Sequence, residues 1–445
     1  MNTKKNYCIK KQKMVYFLLI LVGILLSYSI CIFVDNGLFE QLFFYNIKDS
    51  FMDFFNCLFG YKEGNPYISE TPTNYPAMAV LFYKLIASGN QFDVKIVTPM
   101  ELKLHQFPWI ILMVYTILLL FICRVVLLYK VNLKNYERIV LELILILSYP
   151  VMYAIERGNI INVAFVLTLF FVAYYNDDNK IFRILAYIAL SLAAALKIYP
   201  AVFGLILVKE KKIGEAIKLV IYGFIFMVIP FFYFGGIPAI QVWIQGLIGF
   251  TNTFAGSAQT TLEMQYGYGY NYCLKNIFRV FSYLINGDPA IGAWENVAIV
   301  IYVLVIMAAF FTKHKWKELL CYAMLIVIVP AVSYTYALLF LIIPFLVYIN
   351  SLRGNGKKRE KESVEAFIYA VIMAIILIPW PFPYIEKCNI LLENGLGPLP
   401  FQSLVGFICI CLLIIMIIIG LFKDIYVIFM KNYKIKSEHG FIYGT

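Results

Sequence analysis

The sequence predicts an all-α polytopic membrane protein, a bundle of about twelve transmembrane helices (range about 10–13) with amphipathic helices in its first outer loop. Two observations predict this. Hydrophobic residues make up 62% of the 445 and charged residues only 14%, against roughly 45–50% and about 25% in soluble domains; the mean hydropathy is +0.80. Apolar runs of about 15 to 22 residues also recur along the whole chain, the length that a hydrocarbon core of ~30 Å requires.

In order, the runs are about 14–34, 107–129, 139–155, 159–176, 183–197, 199–209, 213–234, 294–312, 318–332, 336–350, 365–381 and 401–422. The sixth is too short to span alone. The stretch 183–209 is therefore either two spans or one broken helix, with Lys197-Ile198-Tyr199-Pro200 at the break. No small-x-small cleavage site follows the first run, so it is expected to be retained as a span and not removed as a signal peptide.

Charge sets the expected orientation. Lys4, Lys5, Lys10, Lys11 and Lys13 place the N-terminus in the cytoplasm. Alternating from there, most of the 37 lysines and arginines fall inside, including the clusters 209–212, 313–317 and 353–361. An even number of spans returns Lys431, Lys434 and Lys436 to the cytoplasm. The expected organisation is one transmembrane domain over 1–445, in a bacterial plasma membrane. It has extracytoplasmic loops at 35–107 and 235–293 and a cytoplasmic tail at 423–445. The net charge of +11 follows from this topology and does not argue for nucleic acid. The nine cysteines show no metal or redox spacing. Cys57, Cys273 and Cys388 face outward in this scheme, which leaves room for one disulfide.

The first outer loop carries an amphipathic pattern. Asn46, Asp49, Asp53 and Asn56 fall on one helical face; Leu42, Phe43, Ile47, Phe51, Phe54, Phe55 and Leu58 take the other. Such a helix would hold carboxylates where a lipid headgroup sits. A second amphipathic helix is expected near 76–88, after Tyr75-Pro76. The second long loop alternates glycine and aromatics, Gly267-Tyr268-Gly269-Tyr270-Asn271-Tyr272. That pattern serves either to close over a sugar or to sit at headgroup level.

Four groups could carry chemistry. Asp49 and Asp53 could deprotonate a hydroxyl, if partly desolvated, or simply form the wet face of their helix. Glu156-Arg157-Gly158-Asn159 occupies a tight outer turn, where the arginine either snorkels or offers a planar fork to phosphate. Lys197 follows the uncharged run Ala193-Ala194-Ala195-Leu196, and an ionisable group at membrane depth is a functional candidate. Ser333-Tyr334-Thr335-Tyr336 lies at the outer end of the ninth and tenth runs, as belt anchors or as site residues. The three histidines form no zinc pair or catalytic triad. No Walker loop or GxGxxG element is present, so a cytoplasmic nucleotide site is unsupported.

Taken in order, these pieces resemble the GT-C superfamily of membrane glycosyltransferases, and within it glycosyltransferase family 87, which includes polyprenyl-phosphate-mannose-dependent mannosyltransferases. The resemblance rests on Met52-Asp53-Phe54-Phe55, Gly64-Asn65-Pro66-Tyr67, Tyr75-Pro76, Glu156-Arg157-Gly158-Asn159-Ile160-Ile161-Asn162, Ala195-Leu196-Lys197-Ile198-Tyr199-Pro200 and Asn271-Tyr272-Cys273-Leu274, followed by Arg279. It covers roughly 14–350. Two features depart from the family pattern: Ser333-Tyr334-Thr335-Tyr336 lacks the histidine of the family's corresponding motif, and Tyr75-Pro76-Ala77 lacks its second proline.

The resemblance implies a GT-C-like bundle and an inverting hexosyltransferase, with mannose as the expected sugar. The donor would be a polyprenyl-phosphate sugar and the acceptor a lipid- or polymer-linked glycan at the outer face. Asp53, or Asp49 in its place, would be the base, and Arg157 and Lys197 would hold the donor phosphate. Glu156, Asn159, Tyr75, Tyr199, Tyr268, Tyr270, Asn271, Tyr334 and Tyr336 are the expected substrate-binding residues, with Tyr336 standing where the family histidine would be. No nucleotide, other cofactor or divalent metal is required in this scheme, and membrane lipids are the surrounding partners. Two alternatives are a transporter or flippase of lipid-linked sugars and an O-antigen-type polymerase or ligase. A flippase predicts a charged path and pseudo-symmetric halves, and the polymerase or ligase a dominant late loop.

Overall fold

The computed structural model describes residues 2–34, 50–62, 64–68, 73–88, 98–105, 108–114, 116–117, 120, 124, 131, 133–256, 270–287, 291–352, 364–381 and 399–440. Among them the chain is helical apart from turns and one isolated bridge between Asn271 and Tyr334. The helices are α1 (Asn2–Val34), α2 (Met52–Tyr61), α3 (Ala77–Ser88), α4 (Pro99–Leu102), α5 (Asn135–Leu147), α6 (Tyr149–Arg157), α7 (Ile161–Tyr174) and α8 (Lys180–Leu196). They continue with α9 (Leu205–Lys209), α10 (Ile213–Tyr233), α11 (Ile237–Gly256), α12 (Leu274–Asn286), α13 (Trp294–Phe311), α14 (Lys315–Ile328), α15 (Ile342–Ser351), α16 (Val364–Leu377) and α17 (Phe401–Gly440). Two 3-10 segments, Tyr199–Gly204 and Thr335–Leu341, lead into α9 and α15.

Among the described residues four helical stretches are long and apolar enough to cross a membrane: Lys13–Phe33, Ile213–Tyr233, Trp294–Phe311 and Phe401–Met430. The pair α5 and α6 makes a fifth if counted as one span bent by 50°. Ser148 is extended at this bend, and Pro150 then starts α6, where a missing N–H costs nothing. Most other apolar runs form shorter helices of 10–17 residues. The broken run at 183–209 becomes a hairpin. Lys197 is extended (φ −146°, ψ 124°) and stops α8; the 3-10 segment and α9 then return towards the start of α8. Tyr175, just before α8, donates from Oη to Glu210, just after α9, at 2.6 Å.

One large core joins α1, α5 to α8 and α12 to α17, with Trp316, Tyr322, Tyr369 and Phe171 fully buried. A second core gathers α2, α3 and the ends of α10 and α11 around Phe54, Phe55, Tyr83, Phe231 and Trp243. The expected surface helix is corrected on two counts. First, α2 starts at Met52, because Phe51 is left-handed (φ 59°). Among the described residues the helix carrying Asp53 therefore begins after Phe51, and Asp49 lies outside the described residues. Second, Phe54, Phe55 and Leu58 are fully buried against protein, so this face packs inward instead of lying on a lipid surface. The expected second helix is α3, and the second long loop holds α11 and α12. Cys57 and Cys273 are free thiols in buried positions, so no disulfide joins them; Cys388 lies outside the described residues.

The opposite end of the bundle carries its own charged layer. Lys209 bonds the Thr312 carbonyl at 2.7 Å and Glu318 at 3.1 Å. Lys315 reaches both Glu210 (2.8 Å) and Glu318 (3.3 Å), and Lys212 reaches Glu210 at 2.7 Å. Burial pushes the Glu210 carboxyl up, but hydrogen bonds from Lys212, Lys315 and Tyr175 outweigh it and hold the group down at about 2.

Candidate active site

The site is built on the turn between α6 and α7. Gly158 ends α6 in the left-handed region (φ 62°), and its N–H closes the helix onto the Ile155 carbonyl at 2.9 Å. A Cβ at this glycine would lie 2.9 Å from the Cβ of Phe54. Glycine is therefore required twice, for its φ and because α2 packs directly on it. That close approach brings Asp53, in the first turn of α2, against the residues on either side of Gly158.

Arg157 donates to Asp53 Oδ1, and Asn159 Nδ2 donates to Asp53 Oδ2 at 2.8 Å. The Asp53 and Arg157 side chains are 18% and 14% exposed, so the pair is largely withdrawn from solvent yet open enough for a substrate to reach. Asn159 is held by its own turn: Oδ1 accepts the Ile161 N–H at 3.0 Å, while Nδ2 also reaches Tyr75 Oη at 3.3 Å. Lys197 stands 4.2 Å from the centre of the Tyr75 ring and within electrostatic reach of Asp53.

Lys197, Tyr75, Asn74 and Tyr199 form the polar side of a cavity of about 570 Å³. Its remaining lining is mainly apolar, with Leu247, Ile306, Leu325, Ile326 and Val329 among it. One amine among the lining of a mainly apolar cavity suits a ligand with an anionic head and an apolar remainder.

The tyrosines of the later motifs gather around Tyr153 of α6. Tyr270 stacks on Tyr153 with centroids 6.3 Å apart, and Tyr336 lies 6.5 Å from Tyr153 and 5.8 Å from Tyr334. Tyr336 is also within electrostatic reach of Asp53 and Tyr199. Asn271 ties this group together: Oδ1 accepts the N–H groups of Cys273 and Ser333 at 3.0 and 2.9 Å, and Nδ2 donates to the Ala331 carbonyl at 2.9 Å. Its side chain thus braces the turn that carries Tyr334 and Tyr336.

Residues 75–340 match glycosyltransferase family 87. That is more than half of the chain. The chain belongs to glycosyltransferase family 87. No curated protein matches it. As a family 87 chain it is a transferase acting on a sugar donor and an acceptor. The matched stretch holds Arg157, Lys197, Asn271 and Tyr336; Asp53 precedes it and joins the group through space.

Of the expected site residues, Asp53, Arg157, Asn159, Tyr75 and Lys197 meet directly, and Tyr199, Tyr270, Tyr334 and Tyr336 surround them. Tyr268 lies outside the described residues, as does Asp49. Glu156 points elsewhere: it accepts a hydrogen bond from Ser50 Oγ. Sequence reading missed Tyr153 and Ser50. Tyr153 stands one helical turn before Arg157, a spacing that could have placed it on the same face. Ser50 gives no local signal, because its partner is more than a hundred residues away.

Proposed function

We propose that this protein transfers a hexose, mannose by its family resemblance, from a polyprenyl-phosphate sugar to a lipid- or polymer-linked glycan at the outer face of the plasma membrane. The carrying observation is the meeting of Asp53, Arg157 and Asn159 with Tyr75 and Lys197 at the polar side of an apolar cavity. In this reading the isoprenoid tail lies along the apolar lining. The phosphate sits between Lys197 and Arg157, whose guanidinium suits a tetrahedral oxyanion. The acceptor hydroxyl attacks C1 of the sugar while its proton passes to Asp53. The C1–O bond breaks, and the electron pair leaves on polyprenyl phosphate, so C1 is inverted. A phosphate leaving group carries its charge without general-acid help, so one carboxylate suffices. Asn159 and Arg157 orient Asp53, each through one of its oxygens. No nucleotide or metal takes part in this scheme.

The test is transfer of labelled mannose from polyprenyl-phosphate mannose to a membrane lipid extract by the purified protein. Asp53→Asn keeps the shape of the side chain and removes the base. It is expected to lower kcat by roughly 100- to 10,000-fold with the protein still folded. Full activity in that variant removes Asp53 as base.

A further inference from the structure

We propose that Glu156 is a positioning residue that clamps the start of α2 and so aims Asp53, an inference that rests on the reading of Asp53 as base. Glu156 makes two bonds to adjacent residues ahead of that helix. Its carboxylate accepts from Ser50 Oγ, and its main-chain carbonyl accepts the Phe51 N–H at 2.8 Å. Between them they fix a conformation that the chain would not choose. Phe51 is left-handed (φ 59°, ψ 8°), a region that side chains other than glycine disfavour. Such a backbone persists only where its surroundings over-determine it, and it concentrates at functional sites.

The surroundings here are identifiable. The Phe51 ring meets Trp109 edge-on at 5.1 Å, and the Ser50 carbonyl accepts Lys103 Nζ at 2.5 Å. Asp53 follows Phe51 by two residues. Glu156 and Arg157 therefore grip one short stretch from two sides: Glu156 holds the turn at 50–51, and Arg157 holds the carboxylate at 53. The clamp fixes the approach of α2 before substrate arrives, and a displacement of about 1 Å at a base can cost roughly a hundredfold in rate. The sequence suggests a substrate contact for Glu156, whereas its carboxylate is turned to Ser50.

The two roles make different demands on the side chain. A clamp through the Ser50 hydroxyl needs an acceptor oxygen, which glutamine supplies; a charged contact to substrate needs the carboxylate. The test compares Glu156→Ala, Glu156→Gln, Ser50→Ala and the Ser50→Ala/Glu156→Ala pair in the full chain, with polyprenyl-phosphate mannose as donor. Glu156→Ala is expected to lower kcat by roughly 10- to 100-fold with the donor KM within about twofold. Glu156→Gln should restore most of the rate, Ser50→Ala should reproduce the loss, and the pair should be no worse than either single change.

Hydrogen exchange gives a readout that does not depend on turnover. Exchange over 50–56 should rise in Glu156→Ala and stay at the wild-type level in Glu156→Gln. Glutamine as poor as alanine, a wild-type rate in Ser50→Ala, or unchanged exchange in Glu156→Ala would each overturn the clamp. Asp53→Asn, run in parallel, fails separately: activity there removes the base assignment and leaves the exchange result standing.

Discussion

Gly158 carries two constraints that meet nowhere else in the site. Its φ of 62° suits glycine, and the space where a Cβ would stand is taken by Phe54. Gly158→Ala therefore meets a left-handed penalty of about 1–2 kcal/mol and must also push α2 away from Arg157. The expected outcome is a lower thermal midpoint together with a larger fall in transfer rate. A variant with wild-type kcat and a lowered midpoint would show that the α2 contact does not set the base. The Glu-Arg-Gly-Asn turn was legible because glycine after a charged pair is a helix-stop signal. The left-handed Phe51 was not legible. Phenylalanine avoids that region, and the bond that holds it there comes from Glu156, more than a hundred residues later.

Among the elements, the return of α9 beside the start of α8 depends on charges at the far end from the site. Glu210 receives hydrogen bonds from Lys212, Lys315 and Tyr175, drawn from three parts of the chain. Its carboxyl is held at about 2 against an ordinary 4.5. A carboxylate depressed in this way stabilises the fold in full above its ordinary value, and the contribution disappears as pH falls towards the folded one. Glu210→Gln should thus be less stable than wild type at pH 7, with the gap in thermal midpoint closing between pH 4.5 and 2. A gap that is constant over that range would mean that Glu210 contributes through packing alone. The lysine clusters at 209–212 and 313–317 were legible in the sequence as charge clusters. Their interleaving with Glu210 and Glu318 was not, because α9 and α14 approach only once the hairpin is formed. The apolar pattern predicted a helix, and Met52–Tyr61 is one among the described residues, but the pattern could not say that Phe54 and Phe55 would face protein instead of lipid. Burial against protein and burial against acyl chains demand the same side chains.

At the scale of the whole molecule, two polar layers cap one apolar body: Asp53, Arg157 and Lys197 at one end, and Lys209, Glu210, Lys315 and Glu318 at the other. By the positive-inside rule the second layer is expected in the cytoplasm. A single cysteine at exposed Asn56, in an otherwise cysteine-free chain, should then react with an impermeant maleimide in intact cells. One at exposed Lys211 should react only after permeabilisation. The reverse pattern would put the site in the cytoplasm and sink an outer-face donor. Among the described residues, four to five helical stretches are of spanning length. The 3-10 segments Tyr199–Gly204 and Thr335–Leu341 border the cavity and its tyrosines.

The sequence by itself determined the helical class, the apolar runs, the lysine clusters and the ordered motifs that resemble family 87, because each is written in composition or in spacings of a few residues. Tertiary structure alone decided that Asp53 faces Arg157 and Asn159, that Lys197 caps an apolar cavity at Tyr75, and that Glu156 holds Ser50. Those contacts join positions more than a hundred residues apart. They exist only because a glycine lets one helix rest on the turn of another, and periodicity along the chain carries no record of that approach.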